Sequence, residues 1–312
     1  MTEILAAQDT SIGPAGGRKN ADVTAWVAVA AGALGAMLAT LDISIVNSAL
    51  PVIQGEIGAT GAEGTWIATS FLVAEIVVIP LSAWLERLFG LRTLLIIAVS
   101  AFTAFSVLCG IATDLTTMII GRTGQGFTGG VLIPTAMTIV AKRLPPHQQP
   151  IGMALFGMTV VLGPVMGPLI GGWLTDEYSW RWVFYINLPF GLLAFAGIWL
   201  SVSETETRKV RFDIMGFAYL GLAIGAFQLM LDRGEQVQWF ESFEIQLEAV
   251  LALLGLYLFV VHSLTRKDPF IDPALFKDRN FVTGLVFIFV VGIILLATMA
   301  LLPPFLQQWK DY

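Results

Sequence analysis

The chain has 312 residues, of which 56% are apolar and 13% charged, with a formal net charge of −6. That charged share is about half of what soluble domains carry, and at a mean hydropathy of +0.78 it leaves too few charges for a water-facing surface, which all but excludes a soluble enzyme. A single cysteine, Cys109, excludes an internal disulfide framework and a cysteine-rich metal site, and two distant histidines, His147 and His262, leave zinc without ligands. No metal, cofactor or nucleic-acid partner is expected.

A bilayer core of roughly 30 Å takes about 20 mostly apolar residues in a helix. Residues 1–25 are polar and Gly-rich and read as a cytoplasmic tail. A cleaved signal peptide fits less well, because the span that follows is long, carries an aspartate and lacks a convincing cleavage site. Nine apolar runs come next: 26–50, 65–85, 93–112, 116–140, 151–174, 182–201, 214–231, 245–264 and 281–302. They are continuously apolar rather than alternating, which predicts helices and not a barrel. The fold class is an all-α membrane protein of nine spans.

Short connections join the first six spans, which predicts a six-helix bundle over 26–201. The charge-dense stretch 202–213 is a linker, and two inserted helices occupy 214–264, joined by an outer loop containing Leu231-Asp232-Arg233-Gly234. A second linker, 265–280, precedes a lone ninth helix in 281–312, which reads as the opening of a second bundle in an incomplete polypeptide.

Two patterns test this map. Arg18, Lys19, Arg87, Arg92, Lys142, Arg143, Arg208, Lys209, Arg211, Arg266, Lys267, Lys277 and Arg279 fall on one side; Arg181, Arg233 and Lys310 fall on the other. The positive-inside rule then places the N-terminus in the cytoplasm. All nine tryptophans (26, 66, 84, 173, 180, 182, 199, 239 and 309) lie at or near span ends, as an interfacial belt requires.

Four charged residues fall within spans: Asp42, Glu75, Arg122 and Glu248. Each costs roughly 2.5–3.5 kcal/mol at a helix centre on the gentlest scale, so each should face the bundle interior, a partner or water. At about 1.5 Å per residue, Asp42 and Arg122 sit at compatible depths, and a water-lined Asp–Arg neighbourhood is allowed. Asp42 either accepts a structural hydrogen bond from nearby Asn47 or serves transport. Arg122 either staples helices through backbone carbonyls or tunes a proton or substrate site. Glu75, near midplane, is an inert hydrogen-bonder or a proton carrier. Glu248, close to a span end, can snorkel.

Span five carries Gly163-Pro164-Val165-Met166-Gly167-Pro168-Leu169-Ile170-Gly171-Gly172. Glycines at i, i+4 and i+8 form one stripe for close helix approach, and two prolines favour a kink. The segment suits a tightly packed helix, or a hinge or seal between moving units.

These residues resemble the major facilitator superfamily, and within it the fourteen-span drug:proton antiporters of the EmrB/QacA type, from about Trp26 to Gln308. Leu41-Asp42-Ile43-Ser44-Ile45-Val46-Asn47-Ser48-Ala49-Leu50-Pro51 looks like the family's first-helix aspartate motif. Arg122-x-x-Gln125-Gly126-x-x-Gly129-Gly130 is similar to the fourth-helix motif whose arginine is linked to proton transfer, and Gly163–Gly172 to the antiporter motif of helix five. Trp180–Gly191, Leu231–Gly234 and Leu275–Phe281 are similar to further landmarks. One departure concerns the loop after span two, where Ala83 and Arg87 stand in place of the usual glycine and aspartate; Glu86 is the candidate replacement for the acidic group.

The resemblance implies a major facilitator fold supplying the N-terminal bundle, two inserted helices and the first helix of the second bundle. It implies export of lipophilic, often cationic, drug-like compounds against protons, with Asp42, Arg122, Glu75, Asn47 and Gln125 in coupling and Gly163, Pro164, Gly167, Pro168, Gly171 and Gly172 in the seal. A periplasmic adaptor and an outer-membrane channel are implied partners beside the bilayer. A metabolite transporter of the same superfamily and a non-transporting fragment are the rival readings.

Overall fold

The computed structural model describes residues 20–208 and 211–309. Arg18, Lys19, Lys209, Lys310 and most of the expected N-terminal tail lie outside them. Among the described residues there are nine long helices and no strand. They are α1 (Val23–Ile57), α2 (Gly61–Phe89), α3 (Leu91–Gly110), α4 (Leu115–Arg143), α5 (Gln149–Glu177), α6 (Trp182–Ser201), α7 (Ile214–Arg233), α8 (Phe243–Thr265) and α9 (Arg279–Trp309). Seven are long and apolar enough to cross a membrane; the others are α4, rich in glycine around Arg122, and α9, whose described apolar stretch Arg279–Ile294 is shorter.

Side-chain caps start these helices by satisfying orphan amides. Asp22 accepts from Val23 N at 2.7 Å, Asp114 from Thr117 N at 2.9 Å and Asp213 from Gly216 N at 3.1 Å. Thr60 and Glu63 form a reciprocal capping box at the start of α2. Gly58, at φ +73°, ends α1 in the left-handed conformation that glycine adopts without strain. The sequence placed the end of α1 near residue 50; the helix runs through Pro51 for nearly two more turns. The Leu231–Gly234 stretch is likewise helical through Arg233, not a loop.

α1 is the hub, packing along α5, α4 and α6, while α2 lies on α4, and α3 on α4 and α6. α7 and α8 pair with each other and dock on the bundle through α2. In α9 the side chains from Phe281 to Val291 are exposed. Small residues permit the tight crossings: a Cβ on Gly126 of α4 would lie 2.2 Å from the Phe71 carbonyl oxygen of α2.

The two larger apolar clusters of the interior form layers. One holds Leu38, Phe71, Leu95, Phe102, Leu132 and Ile139; the other holds Ile45, Ile53, Ile67, Met118, Trp180 and Phe184. Trp180 corrects the belt reading: it sits at a helix end, but it is buried, and its indole N–H donates to Glu56 at 2.8 Å.

Connections at the end where α1 begins are tied together. Glu86 of α2 pairs with Lys142 of α4 at 2.5 Å, so the candidate acidic group does reach a partner across the bundle. Arg143 donates to Ser203 Oγ and to the Ser201 carbonyl, both at 2.8 Å, and Arg208 N donates to the Arg87 carbonyl at 2.8 Å. Glu204 caps α3, accepting from Arg92 N at 3.2 Å, Thr93 N at 3.0 Å and Thr93 Oγ1 at 2.6 Å. Burial pushes the Glu204 carboxyl up, but those bonds and one from Thr205 N outweigh it and hold it below the usual carboxylate range.

Candidate functional site

Between the two apolar layers lies a thin polar layer built by four helices. α1 supplies Asp42, α4 supplies Arg122 and Gln125, α3 supplies Ser106, and α6 supplies Asn187. Each of these residues is at most 1% exposed. Their positions follow from the register of apolar neighbours. Asp42 stands one turn from Leu38 on one side and Ile45 on the other, so the stripe that buries those residues buries the carboxylate too.

The hydrogen bonding is nearly complete. Arg122 NH1 forms an ion pair with Asp42 Oδ2 and donates to Gln125 Oε1 at 3.0 Å. Its Nε donates to the Ile67 carbonyl at 3.0 Å, and its guanidinium lies 4.3 Å over the Phe71 ring. Asp42 Oδ1 accepts from Gln125 Nε2 at 3.0 Å and from Asn187 Nδ2 at 2.6 Å. Ser106 Oγ accepts from the same two amides, at 3.2 and 2.8 Å, and donates to the Phe184 carbonyl at 2.8 Å. Cys109 Sγ closes the edge, 3.4 Å from Gln125 Oε1. One atom is left over: Asn187 Oδ1 is buried without a partner.

A charge in such surroundings is held by its partners. Removing one member of a buried ion pair costs about 3–5 kcal/mol, because the other is left uncompensated in low dielectric.

The structure brings Asp42, Arg122 and Gln125 together and leaves Asn47 and Glu75 outside their hydrogen-bond network, Glu75 being near enough to feel the charges of Arg122 and Asp42. Asn47 is exposed, and Asp42 takes its amides from Gln125 and Asn187 instead. Five residues along a helix is about 140° around it, so Asn47 points away. Glu75 lies one turn beyond Phe71 on α2, partly exposed, with no hydrogen bond or ion pair to its side chain among the described residues. The neighbourhood is also closed rather than water-lined, with Asp42 at 0% exposure. Sequence reasoning missed Ser106 and the role of Asn187; the latter stood in the Trp180–Gly191 landmark, but an amide or hydroxyl in an apolar helix carries no electrostatic alarm.

Beside this layer, α5 packs on α1 through the predicted glycine stripe. A Cβ on Gly163, Gly167 or Gly171 would lie 2.5 Å from Thr40 Oγ1, 2.4 Å from Ser44 Oγ or 2.1 Å from Ser48 Oγ respectively. The two prolines fit the same register. Pro164 and Pro168 lack the N–H that would bond Val160 O and Pro164 O within the helix. Thr40 Oγ1, shared with its own Met37 carbonyl, donates to Val160 O at 3.2 Å, and Ser44 Oγ donates to Pro164 O at 3.2 Å. The hydroxyls of one helix thus satisfy the carbonyls the prolines free in the other. This contact joins α1 and α5 along most of the glycine stripe. Pro168 is exposed and Gly172 has nothing within 4 Å of its Cβ position, so neither joins the stripe.

The architecture is that of a multi-pass helical membrane protein with an ion pair buried at its hub. The Major Facilitator Superfamily model matches residues 32–311, and the chain belongs to that superfamily. It is 40% identical over 290 residues to the fatty acid resistance protein FarB of Neisseria gonorrhoeae, covering 92% of this chain and 57% of that one. To the multidrug export protein EmrB of Escherichia coli it is 37% identical over 281 residues, covering 89% and 55%. To a multidrug resistance protein B homolog of Mycobacterium tuberculosis it is 34% identical over 278 residues, covering 88% and 51%. Within the superfamily these are the proteins it is similar to, and the chain spans about half the length of the curated relatives it matches. A solved bacterial homolog of the lysosomal transporter Spinster aligns with a TM-score of 0.49 at 17% identity, over 78% of this chain and 62% of that one, too distant to carry an argument.

Proposed function

We propose that this chain is the N-terminal part of a proton-coupled exporter of lipophilic, often cationic, compounds, working by antiport in the cytoplasmic membrane with its N-terminus inside. The observation that carries the reading is the Asp42–Arg122 pair, sealed between apolar layers at the hub helix. Relatives named for multidrug export and fatty acid resistance support export. The basic residues gathered on one set of connections support the orientation.

Protonating Asp42 would remove the charge that compensates Arg122. The guanidinium would keep Ile67 O, Gln125 Oε1 and the Phe71 face, but lose its counter-ion. That imbalance, on the order of the 3–5 kcal/mol cost of a broken buried pair, is enough to move a two-state equilibrium by roughly two to three and a half decades. Proton and cargo then favour different states, and a second bundle following α9 supplies the partner against which the first rocks. Gly163, Pro164, Gly167 and Gly171 act as the seal that keeps α1 and α5 together during that motion. Glu75, near midplane and unpaired, is the proposed second acid. A periplasmic adaptor and an outer-membrane channel are the proposed partners, resting on the resemblance alone.

Because Asp42 is at 0% exposure, the reading requires a second conformation in which solvent reaches it. The same closure supports a second reading: Arg122 as a structural staple tying α1, α2 and α4 with no part in transport. Proteoliposomes holding the full-length protein separate the two. Drug movement that stops when the pH gradient and membrane potential are collapsed supports antiport; movement that continues unchanged contradicts it.

A further inference from the structure

The unpaired Asn187 oxygen has a use that the charged form of the layer does not reveal. Asn187 commits both amide hydrogens, to Asp42 Oδ1 at 2.6 Å and to Ser106 Oγ at 2.8 Å, while its own Oδ1 is buried without a donor. A buried carbonyl without a donor is costly, and rotating the amide by 180° would be the ordinary remedy. With Asp42 ionised that remedy is closed, because it would set two acceptor oxygens against each other at hydrogen-bond distance.

With Asp42 protonated the situation reverses. A carboxylic acid carries one O–H that needs an acceptor, and the neighbours on Asp42 Oδ1 are both amide nitrogens. We propose that Asn187 is a two-state positioning residue: its amide donates to the Asp42 carboxylate, and on protonation it turns over so that Oδ1 accepts the Asp42 O–H. Ser106 permits the turn, because its Oγ keeps the Gln125 amide as donor while its hydroxyl hydrogen swings from the Phe184 carbonyl to the Asn187 oxygen that replaces the N–H. The flip gives both protonation states of a dry carboxyl a complete partner on that oxygen without admitting water. The ionisable groups around Asp42 are Arg122 from α4, Cys109 from α3 and Glu75 from α2, and none of them offers an acceptor to that oxygen.

The inference rests on Asp42 being a proton site, and the experiment separates the two. Infrared difference spectra between alkaline and acid pH are recorded on the full-length protein in liposomes, unlabelled and with isotope-labelled asparagine. Within this chain Asn20, Asn47 and Asn280 are exposed, so Asn187 is the buried amide. The expected result has two parts: an acid carbonyl band that vanishes in Asp42→Asn, and a labelled side-chain amide band that moves to lower frequency on acidification and is lost in Asn187→Leu. Should Asn187→Leu fail to fold, labelled Asp42→Ala supplies the control, since it adds no asparagine and the Asn187 amide band should no longer move. An Asp42 acid band with a motionless amide band overturns the flip and leaves the proton site standing. Absence of the acid band overturns the proton site itself.

Discussion

The Ser44 hydroxyl donates to the Pro164 carbonyl at 3.2 Å, an oxygen that Pro168 leaves without a partner inside its own helix. A helix-breaking residue is thus tolerated in α5 because a neighbouring helix carries the missing donor at the right height. Ser44→Ala should cost about 1–2 kcal/mol, at the upper end for an interhelical bond in a membrane, because it orphans a carbonyl in a nearly dry contact. In a Pro168→Ala background the backbone N–H returns to that oxygen, and Ser44→Ala should cost much less. Thermal unfolding of the four proteins of this cycle checks the coupling; equal costs in both backgrounds would refute it.

The glycines of the same segment are not equivalent. A Cβ on Gly171 would sit 2.1 Å from Ser48 Oγ and 2.8 Å from the Ile45 carbonyl, whereas one on Gly172 meets nothing within 4 Å. Gly171→Ala should therefore destabilise by about 1–3 kcal/mol through overpacking. Gly172→Ala should be neutral or slightly stabilising, since alanine is the better helix former. Yield and melting temperature of the two variants distinguish these outcomes.

Glu204 gives a pH dependence with a definite sign. Its hydrogen bonds to Arg92, Thr93 and Thr205 hold the folded carboxyl below its ordinary value. The stabilisation is present above about pH 4.3, where the unfolded carboxyl ionises, and is lost as pH falls through the lowered folded value. Glu204→Gln should lower the melting temperature at neutral pH, and the gap from wild type should close on acidification. A gap that stays constant with pH would mean that charge at Glu204 is irrelevant.

How much of this was legible beforehand depended on electrostatic contrast. Asp42 and Arg122 stood out because a charge in a long apolar run has a large cost that demands a partner, and the rise per residue put them at one depth. Gln125 came with the arginine motif. Asn187 and Ser106 stayed hidden because neutral polar groups carry no such signal and meet around Asp42 only when α3, α4 and α6 close on α1. Asn47 was named for nearness in sequence, where helical phase argued against it. The glycine stripe was legible from its spacing, but its partner was not: that Thr40, Ser44 and Ser48 on α1 share the four-residue repeat shows only once the two helices are laid together. Helix α4 was legible as one more apolar run, although its glycines and Arg122 set it apart from the seven helices apolar enough to cross a membrane.

Cys109 reports whether the polar layer opens. It is buried beside Gln125, and a Cβ on Gly121 would lie 2.5 Å from its sulfur. A membrane-permeant maleimide should label it slowly in the resting full-length protein and at least about tenfold faster during turnover, a factor that corresponds to about 1.4 kcal/mol of population shift. Peptide mass spectrometry reads the site. Labelling that stays flat across pH and drug conditions would mean that the layer never opens.

The central claim is that one carboxylate couples protons to transport, and Asp42→Asn tests it most directly, since the amide keeps the size and can still hydrogen-bond but cannot release a proton. The measurement is pH-gradient-driven drug uptake into inside-out vesicles carrying the full-length protein, normalised to the amount inserted. The account expects uptake to fall to the level of empty vesicles while insertion is unchanged. Undiminished gradient-driven uptake by Asp42→Asn would contradict it.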